Sequence, residues 1–240
     1  HLAPGDVADT ISQSMGGADE ESLNAIRADY GLDQPFIVQL GRYIGNVLQF
    51  DLGYSFFYNQ SVTSLILSRL PATLLLVVSA QLLALVIGVV LGVYSARKPN
   101  GIVSHFVTLF ALFGYSAPVF WTGILLLISF SLKIPLFPVA GMTDVTISGR
   151  TFSYILDVAH HLVLPVITLS TIFFALYSRL CRASMIEVLG SDYVRTAKAK
   201  GLSEREITYK HALKNSLSPV ITLAGLQFSA VVSGAVLVET

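Results

Sequence analysis

Residues 72–95 read ATLLLVVSAQLLALVIGVVLGVYS and contain no charged side chain. A helix needs about 20 predominantly apolar residues to cross the hydrocarbon core of a bilayer. The stretch is continuously apolar and does not alternate between apolar and polar residues, which favours a helix over a strand of a membrane barrel. It therefore predicts a transmembrane helix.

Three further runs without Asp, Glu, Lys or Arg have a comparable length. They contain 34, 21 and 24 residues and follow Lys98, Asp157 and Lys214, respectively. A helix buried in a soluble core is the alternative for any single run, but several such runs in 240 residues favour a bilayer. The sequence thus predicts an all-α polytopic membrane bundle with helices near 72–95, 104–131, 162–184 and 217–238.

The composition supports a membrane protein. Apolar residues make up 53% of the chain and charged residues only 12%, whereas soluble domains carry about a quarter charged residues. The mean hydropathy is +0.69. These values argue against a soluble enzyme, a disordered chain or a nucleic-acid binder. The net charge is zero, and the single Cys181 excludes an intrachain disulfide and a Cys-rich metal cluster.

Basic residues are unevenly distributed between the predicted loops. Five lie in 1–71 and 132–161, whereas ten lie in or beside 96–103 and 185–216. The positive-inside rule assigns the denser set to the cytoplasm. We therefore expect 1–71 to be external and the loops 96–103 and 185–216 to be cytoplasmic. A chain that starts outside without Met or a signal peptide also predicts a preceding segment, so we expect an internal piece of a longer protein.

The segment 1–71 is mixed in composition and predicts a folded external region distinct from the transmembrane domain 72–240. Acidic residues before position 23 and Gly31 bound a first predicted helix. Apolar residues in helical spacing over 36–48 predict a second helix, 50–55 reads as a turn, and a short amphipathic helix begins at Val62 and leads to Pro71. The region is either a structural lid or a docking surface for a protein that arrives from outside.

The cytoplasmic loop 185–216 predicts two helices separated by a glycine. Residues 192–200 favour a short helix that ends at Gly201. Ser203 then resembles a helix cap, with Glu206 at the capping-box position. Such a short helix could act as a lever against a partner, because Ala197 and Ala199 permit close approach. The alternative is a basic loop that only fixes topology and contacts anionic lipid.

Several ordered motifs across nearly the whole chain resemble the permeases of binding-protein-dependent ABC importers, in the form found in the dipeptide/oligopeptide/nickel subfamily. The loop resembles their cytoplasmic EAA loop, with Arg195-Thr196-Ala197 in place of Glu-Ala-Ala, which is usual in the peptide branch. The matching stretches are 192–202, 211–217, 219–222, 225–227 and 234–240, and upstream 2–6, 30–35, 51–55 and 69–74.

This resemblance implies a B-type permease subunit with the type I ABC importer fold, of whose six spans the first and last are absent here. The expected external segment lies between spans one and two. The implied partners are a second permease, two ABC ATPase subunits and an extracytoplasmic solute-binding protein, in a bacterial cytoplasmic membrane. The implied function is ATP-driven import of a di- or oligopeptide, although nickel, glutathione or another solute is also compatible with the subfamily.

The resemblance also implies that the loop helix near 191–201 couples the permease to an ATPase subunit. The residues expected to make this contact are Tyr193, Arg195, Thr196, Ala197, Lys198, Ala199, Lys200, Gly201 and Leu202. The chain contains no G-x-x-x-x-G-K-[ST] loop, so ATP and Mg²⁺ are expected on the partner ATPase subunits and no cofactor or catalytic residue on this chain.

Polar residues within the spans are candidates for the substrate path. They are Gln81, Ser116, Trp121, Thr171, Tyr177 and Gln227. Serine and threonine can instead serve as contacts between helices, as can the small pair Gly88 and Gly92. Adjacent His160 and His161 point in different directions on a helix, so we expect no metal site.

Three other classes of protein are alternatives to a permease. A secondary transporter predicts charged residues within the spans and an internal repeat, and neither appears in the sequence. An intramembrane hydrolase would need a catalytic constellation in the spans, which is not apparent. The chemistry of the side chains is also compatible with a membrane scaffold without transport activity. Only the motifs that resemble a permease argue against a scaffold.

Overall fold

The computed structural model describes residues 34–55, 58–144 and 152–239. The chain divides into two compact units, of which the first ends at Pro71 and the second begins at Ala72. The helix predicted before Gly31 lies outside the described residues. Within the described ranges the regular secondary structure is helical apart from two strands of two residues each, so the all-α prediction is confirmed.

The first unit contains the second predicted external helix, α1 (Phe36–Leu48), and a short hairpin. None of the residues of α1 is buried within the structure. The turn after it uses Gly53, whose φ is +87°, and leads into β1 (Tyr54–Ser55), which pairs antiparallel with β2 (Gln60–Ser61). The helix 36–48 is therefore confirmed, and the turn predicted over 50–55 is confirmed as far as Gly53, since Tyr54 and Ser55 lie in β1.

The first long helix, α2 (Val62–Arg97), has 36 residues and continues through Pro71. The prediction of a separate short helix before Pro71 is wrong. Proline removes one backbone hydrogen bond, but membrane helices tolerate it because neighbouring groups satisfy the freed carbonyl. At 1.5 Å per residue the helix is about 54 Å long, which exceeds a hydrocarbon core of about 30 Å.

The predicted helix 104–131 is interrupted. The structure has α3 (Ile102–Ser116) and α4 (Val119–Leu127), which continues into a π-helical turn (Ile128–Lys133). The axes of the two parts meet at 101°. Pro118 causes the break, because a proline disfavours helical geometry in the residue before it and Ala117 adopts ψ 130°.

The central helix of the second unit is α5 (Phe152–Leu189), which contacts both α3 and α4 as well as the last helix. It begins ten residues before the predicted start at 162. The prediction used the charge of Asp157 as a boundary, but charge marks the edge of the apolar run and does not end a helix. His161 lies one turn after Asp157 and 3.4 Å from its carboxylate, so the polar turn remains helical.

Helix α2 packs closely against α5 through two glycines. A Cβ atom at Gly88 would lie 2.6 Å from Cβ of Tyr177, and one at Gly92 would lie 2.6 Å from Cβ of Cys181. Such distances are shorter than carbon atoms tolerate, so only glycine fits at these positions. The predicted close contact at Gly88 and Gly92 is confirmed.

After α5 the chain forms α6 (Asp192–Ala199), α7 (Glu204–Glu206), a π-helical stretch (Ile207–Ala212) and α8 (Leu213–Glu239). Among the described residues, α2 and α5 are long and apolar enough to cross a membrane, and the bent pair α3–α4 would supply a third span. Large apolar side chains such as Val86, Val90 and Phe106 are more than half exposed. A bilayer is the solvent in which such a surface is stable.

Candidate functional site

The loop between α5 and α8 begins with a well-terminated helix. Helix α6 ends in a Schellman motif, in which the N–H of Gly201 donates to the carbonyl of Lys198 at 2.9 Å and that of Leu202 to Ala197 at 3.3 Å. Gly201 has φ +78°, a left-handed conformation that favours glycine. The predicted end of the helix at Gly201 is confirmed.

The second helix of the loop starts with the predicted capping box. The N–H of Glu206 donates to Oγ of Ser203 at 3.3 Å, and the N–H of Ser203 donates to Oε2 of Glu206 at 3.2 Å. The hydrogen bonds from Ser203 hold the pKa of the Glu206 carboxyl below its usual value, with smaller help from the charges of Lys210 and His211. The carboxylate is therefore a fixed part of this turn.

The loop has a small apolar core of its own. Val194 and Ile207 are fully buried, Ala197 is nearly so, and Leu189 and Leu202 pack against them. This cluster joins α6 to the end of α5 and to the π-helical stretch. Because the cluster fixes one side of α6, the opposite side of the helix faces outward.

Polar contacts add to this fixation. Nδ2 of Asn215 on α8 donates to the hydroxyl of Tyr193 at 2.8 Å. Lys198 lies 3.4 Å from the carboxylate of Glu204. Tyr193 thus connects α6 directly to the beginning of α8, and Lys198 connects it to α7.

The residues predicted to contact an ATPase divide into an outward and an inward group. Ala197 is buried and Leu202 half-buried in the loop core, so these two support α6 from behind. The others are exposed on or next to the helix and are Tyr193, Arg195, Thr196, Lys198, Ala199, Lys200 and Gly201. The structure therefore offers a continuous exposed surface around α6, which we call the α6 face.

A second candidate site lies between the long helices. Nε2 of Gln81 on α2 donates to the hydroxyl of Tyr177 on α5 and, at 3.0 Å, to the carbonyl of Ala224 on α8. Tyr177 is fully buried and Gln81 is 9% exposed. Oε1 of Gln81 is buried and has no hydrogen-bond donor among the described residues. We call this group the Gln81 cluster.

The structure does not unite all six predicted path residues. Gln81 and Tyr177 are brought together, and Ser116 and Trp121 line a separate cavity of about 300 Å³ at the break before α4. The hydroxyl of Thr171 donates to the carbonyl of Thr168 within its own helix at 2.7 Å, which is the contact of a packing residue. Gln227 is half-buried on α8.

Two contributors to these sites were absent from the sequence predictions. Asn215 lies in one of the motifs of the resemblance, which could have drawn attention to it. The carbonyl of Ala224 belongs to the main chain, and no side-chain pattern marks it. Outside both sites, Arg182 on α5 donates to Oγ of Ser104 and to the carbonyl of Pro99, both at 3.2 Å, and no local spacing predicts that contact.

The adjacent histidines near the start of α5 have separate partners. Nε2 of His160 lies 2.7 Å from the carbonyl of Leu136, and Nδ1 of His161 lies 2.9 Å from the carbonyl of Asp157. Among the described residues, no three His, Cys, Asp or Glu side chains are grouped so that they could hold a metal ion.

Residues 88–240 match the family model described as binding-protein-dependent transport system inner membrane component. This match covers both candidate sites except Gln81. The chain belongs to this family. The ABC importer permease resemblance is thereby confirmed, and the chain is a membrane component of a transport system.

Relatives of this permease extend the match over the whole chain. The di/tripeptide transport system permease protein DppB of Pseudomonas aeruginosa is 38% identical over 254 residues, which cover 100% of this chain and 75% of the relative. The oligopeptide transport system permease protein AppB of Bacillus subtilis is 37% identical, over 99% of this chain and 73% of the relative. The dipeptide transport system permease protein DppB of Escherichia coli is also 37% identical, over 100% of this chain and 76% of the relative.

Proposed function

We propose that this permease moves small peptides, of two residues or somewhat longer, inward across a bacterial cytoplasmic membrane. The observation that carries the proposal is that relatives named for dipeptides, di/tripeptides and oligopeptides match it over 99–100% of its length. The energy comes from ATP and Mg²⁺ bound to two separate ATPase subunits. A second permease and an extracytoplasmic binding protein complete the transporter.

The α6 face is the proposed contact with an ATPase subunit. Its helix is supported from behind by Val194, Ala197 and Ile207, so a push on its exposed side moves the loop as a body. Interfaces and packed cores of this kind respond by discrete rearrangement and not by gradual deformation. In this proposal the loops 96–103 and 185–216 lie in the cytoplasm and 1–71 lies outside, where it forms part of the docking surface for the binding protein.

Two connections would carry this movement to the spans. Helical backbone is continuous from Glu204 through the π-helical stretch into α8, and Asn215 fixes α8 to Tyr193 on α6. Helix α8 in turn reaches the Gln81 cluster at Ala224. We therefore propose that movement of α6 alters the contact between α8 and α2, with Gln81 and Tyr177 near the route of the peptide.

Site-specific crosslinking tests the ATPase contact. Ala199→Cys on the α6 face is expected to crosslink to an ATPase subunit in the assembled transporter. The native Cys181 is fully buried, so its background reaction is low. Ser153→Cys, which is exposed at the start of α5 on the proposed external side, is the matched control and is expected to give no crosslink.

An active, assembled transporter in which Ala199→Cys fails to crosslink would contradict the coupling role.

The cargo is tested separately by ATP-dependent uptake of labelled dipeptide and tripeptide into proteoliposomes that contain all subunits and the binding protein. Uptake of neither peptide, in a preparation whose ATPase activity responds to the binding protein, would show that the cargo is not a small peptide.

A further inference from the structure

A cavity in the second unit is lined by two arginines and one tyrosine. Arg97, Arg205 and Tyr209 surround a space of about 420 Å³. A water molecule occupies about 30 Å³ in the liquid, so the space holds a group much larger than one water. All three side chains are accessible from solvent or lipid, and Tyr209 is 49% exposed.

Arg97 and Arg205 have no acidic partner among the described residues, whereas Arg195 and Lys198 on α6 each have one. Asp192 lies 3.2 Å from Arg195, Glu204 lies 3.4 Å from Lys198, and the carboxylate of Glu206 is held by Ser203. Among the described residues, no carboxylate pairs with Arg97 or Arg205, the two guanidinium groups at this cavity. Two like charges that border one space repel each other, and a bound anion would offset that repulsion.

The chemistry of the lining favours a phosphate oxyanion. A guanidinium group presents donors in a planar fork that matches phosphate oxygens, and a tyrosine hydroxyl adds a further donor. Tyr209 follows Arg205 by four residues, and lies within the π-helical stretch Ile207–Ala212. Such wide helical turns occur frequently at functional sites.

The position of the cavity indicates where such an anion would come from. Arg97 is the last residue of α2 and directly follows the uncharged run 70–96 of that helix, so we place its guanidinium group at the level where the span leaves the bilayer. Tyrosine is enriched at that level, and anionic lipids are concentrated on the cytoplasmic side. We propose that Arg97, Arg205 and Tyr209 bind a phosphate-bearing anion, supplied by the headgroup of an anionic lipid.

The test measures how much phosphatidylglycerol stays bound to the assembled transporter. The complex is reconstituted in nanodiscs of phosphatidylglycerol and phosphatidylcholine in equal parts, and the retained lipid is counted by native mass spectrometry. Arg97→Gln combined with Arg205→Gln is expected to lower the retained phosphatidylglycerol by about tenfold or more, because hydrogen bonds to charged groups are lost.

A matched control removes two positive charges elsewhere on the proposed cytoplasmic side of the membrane. Arg179→Gln combined with Lys214→Gln changes two exposed residues that do not line the cavity, and is expected to alter retention by less than about twofold. Equal loss in both double variants, or unchanged retention in Arg97→Gln/Arg205→Gln, would overturn the proposal. Peptide uptake is not part of the readout, so this result does not depend on the cargo.

Two further measurements identify the source of the anion. Inorganic phosphate added in excess is expected to leave phosphatidylglycerol bound. Displacement of phosphatidylglycerol by phosphate would show that the site takes soluble phosphate, and would overturn the proposal that the anion comes from a lipid. Retention that appears only after the ATPase subunits are removed would assign the arginines to a protein contact and overturn the proposal.

Discussion

The loop 185–216 and the Gln81 cluster are both polar features of the second unit, but the hydrogen-bonded partners within them are separated by different distances along the chain. In the loop, hydrogen bonds join residues three to 22 positions apart, as in the Ser203–Glu206 capping box and the Asn215–Tyr193 contact. In the cluster, Gln81 reaches Tyr177 and Ala224, which are 96 and 143 positions away. The loop is therefore built from local interactions, whereas the cluster exists only where three long helices meet.

The largest expected effect comes from separating α2 from α5. Even the Cβ atom of a residue at position 88 would lie only 2.6 Å from Cβ of Tyr177. Gly88→Val adds a larger side chain there, so the helices must move apart and the Gln81 cluster must open. Overpacking of this kind costs about 1–3 kcal/mol. We expect the melting temperature of the purified complex to fall, while the loop helices survive.

The matched control is Gly225→Val. A Cβ atom at Gly225 on α8 meets no atom within 4 Å, so its melting temperature should stay close to that of the unmodified complex. Equal melting temperatures for Gly88→Val and the unmodified complex would show that the close approach of α2 and α5 does not hold the bundle together.

The same difference in distance explains which features the sequence predicted. Gly201 and the Ser203–Glu206 pair are recognisable within a window of a few residues, because backbone conformation and capping are local. The break at Pro118 has a local cause in the proline itself, but no sequence pattern gives the 101° angle between the two parts of the helix. The partners of Gln81 could not be predicted from the sequence. The spacing of residues within one span gives neither the rotation of that span about its axis nor which main-chain carbonyl of another helix it will face.

The second prediction concerns the loop alone. Gly201→Pro fixes φ near −65°, whereas the native value is +78°, and removes the N–H that donates to Lys198. We expect ATP-dependent uptake to be abolished while membrane insertion and basal ATPase activity persist, because only the end of α6 is disturbed. Gly201→Asn, which tolerates the left-handed conformation, should keep most of the uptake. Normal uptake by Gly201→Pro would show that the loop fixes topology only.

The third prediction measures the cluster directly. Gln81→Leu and Tyr177→Phe each remove one side of the contact, and the double variant completes a mutant cycle. Hydrogen bonds between membrane helices contribute about 0.6 kcal/mol on average and about 1.7 at most, so the expected coupling in stability lies in that range. Uptake should fall in both single variants if the cluster lies near the peptide route. A coupling near zero would show that the two side chains are neighbours without energetic consequence.

The smallest expected effect is the pH dependence of the capping box, the most local contact of all. The pKa of Glu206 is lowered in the folded loop, so its stabilising contribution is present above the usual carboxyl pKa and is lost as the pH falls through the lowered value. We expect amide hydrogen exchange in residues 204–212, measured by mass spectrometry and corrected for the intrinsic pH dependence, to become less protected over that interval. Ser203→Ala removes the main cause of the shift and should flatten the dependence. Since neither change reaches α2 or α5, protection of residues 76–81 should stay constant, and a parallel loss there would show that the loop and the cluster unfold as one unit.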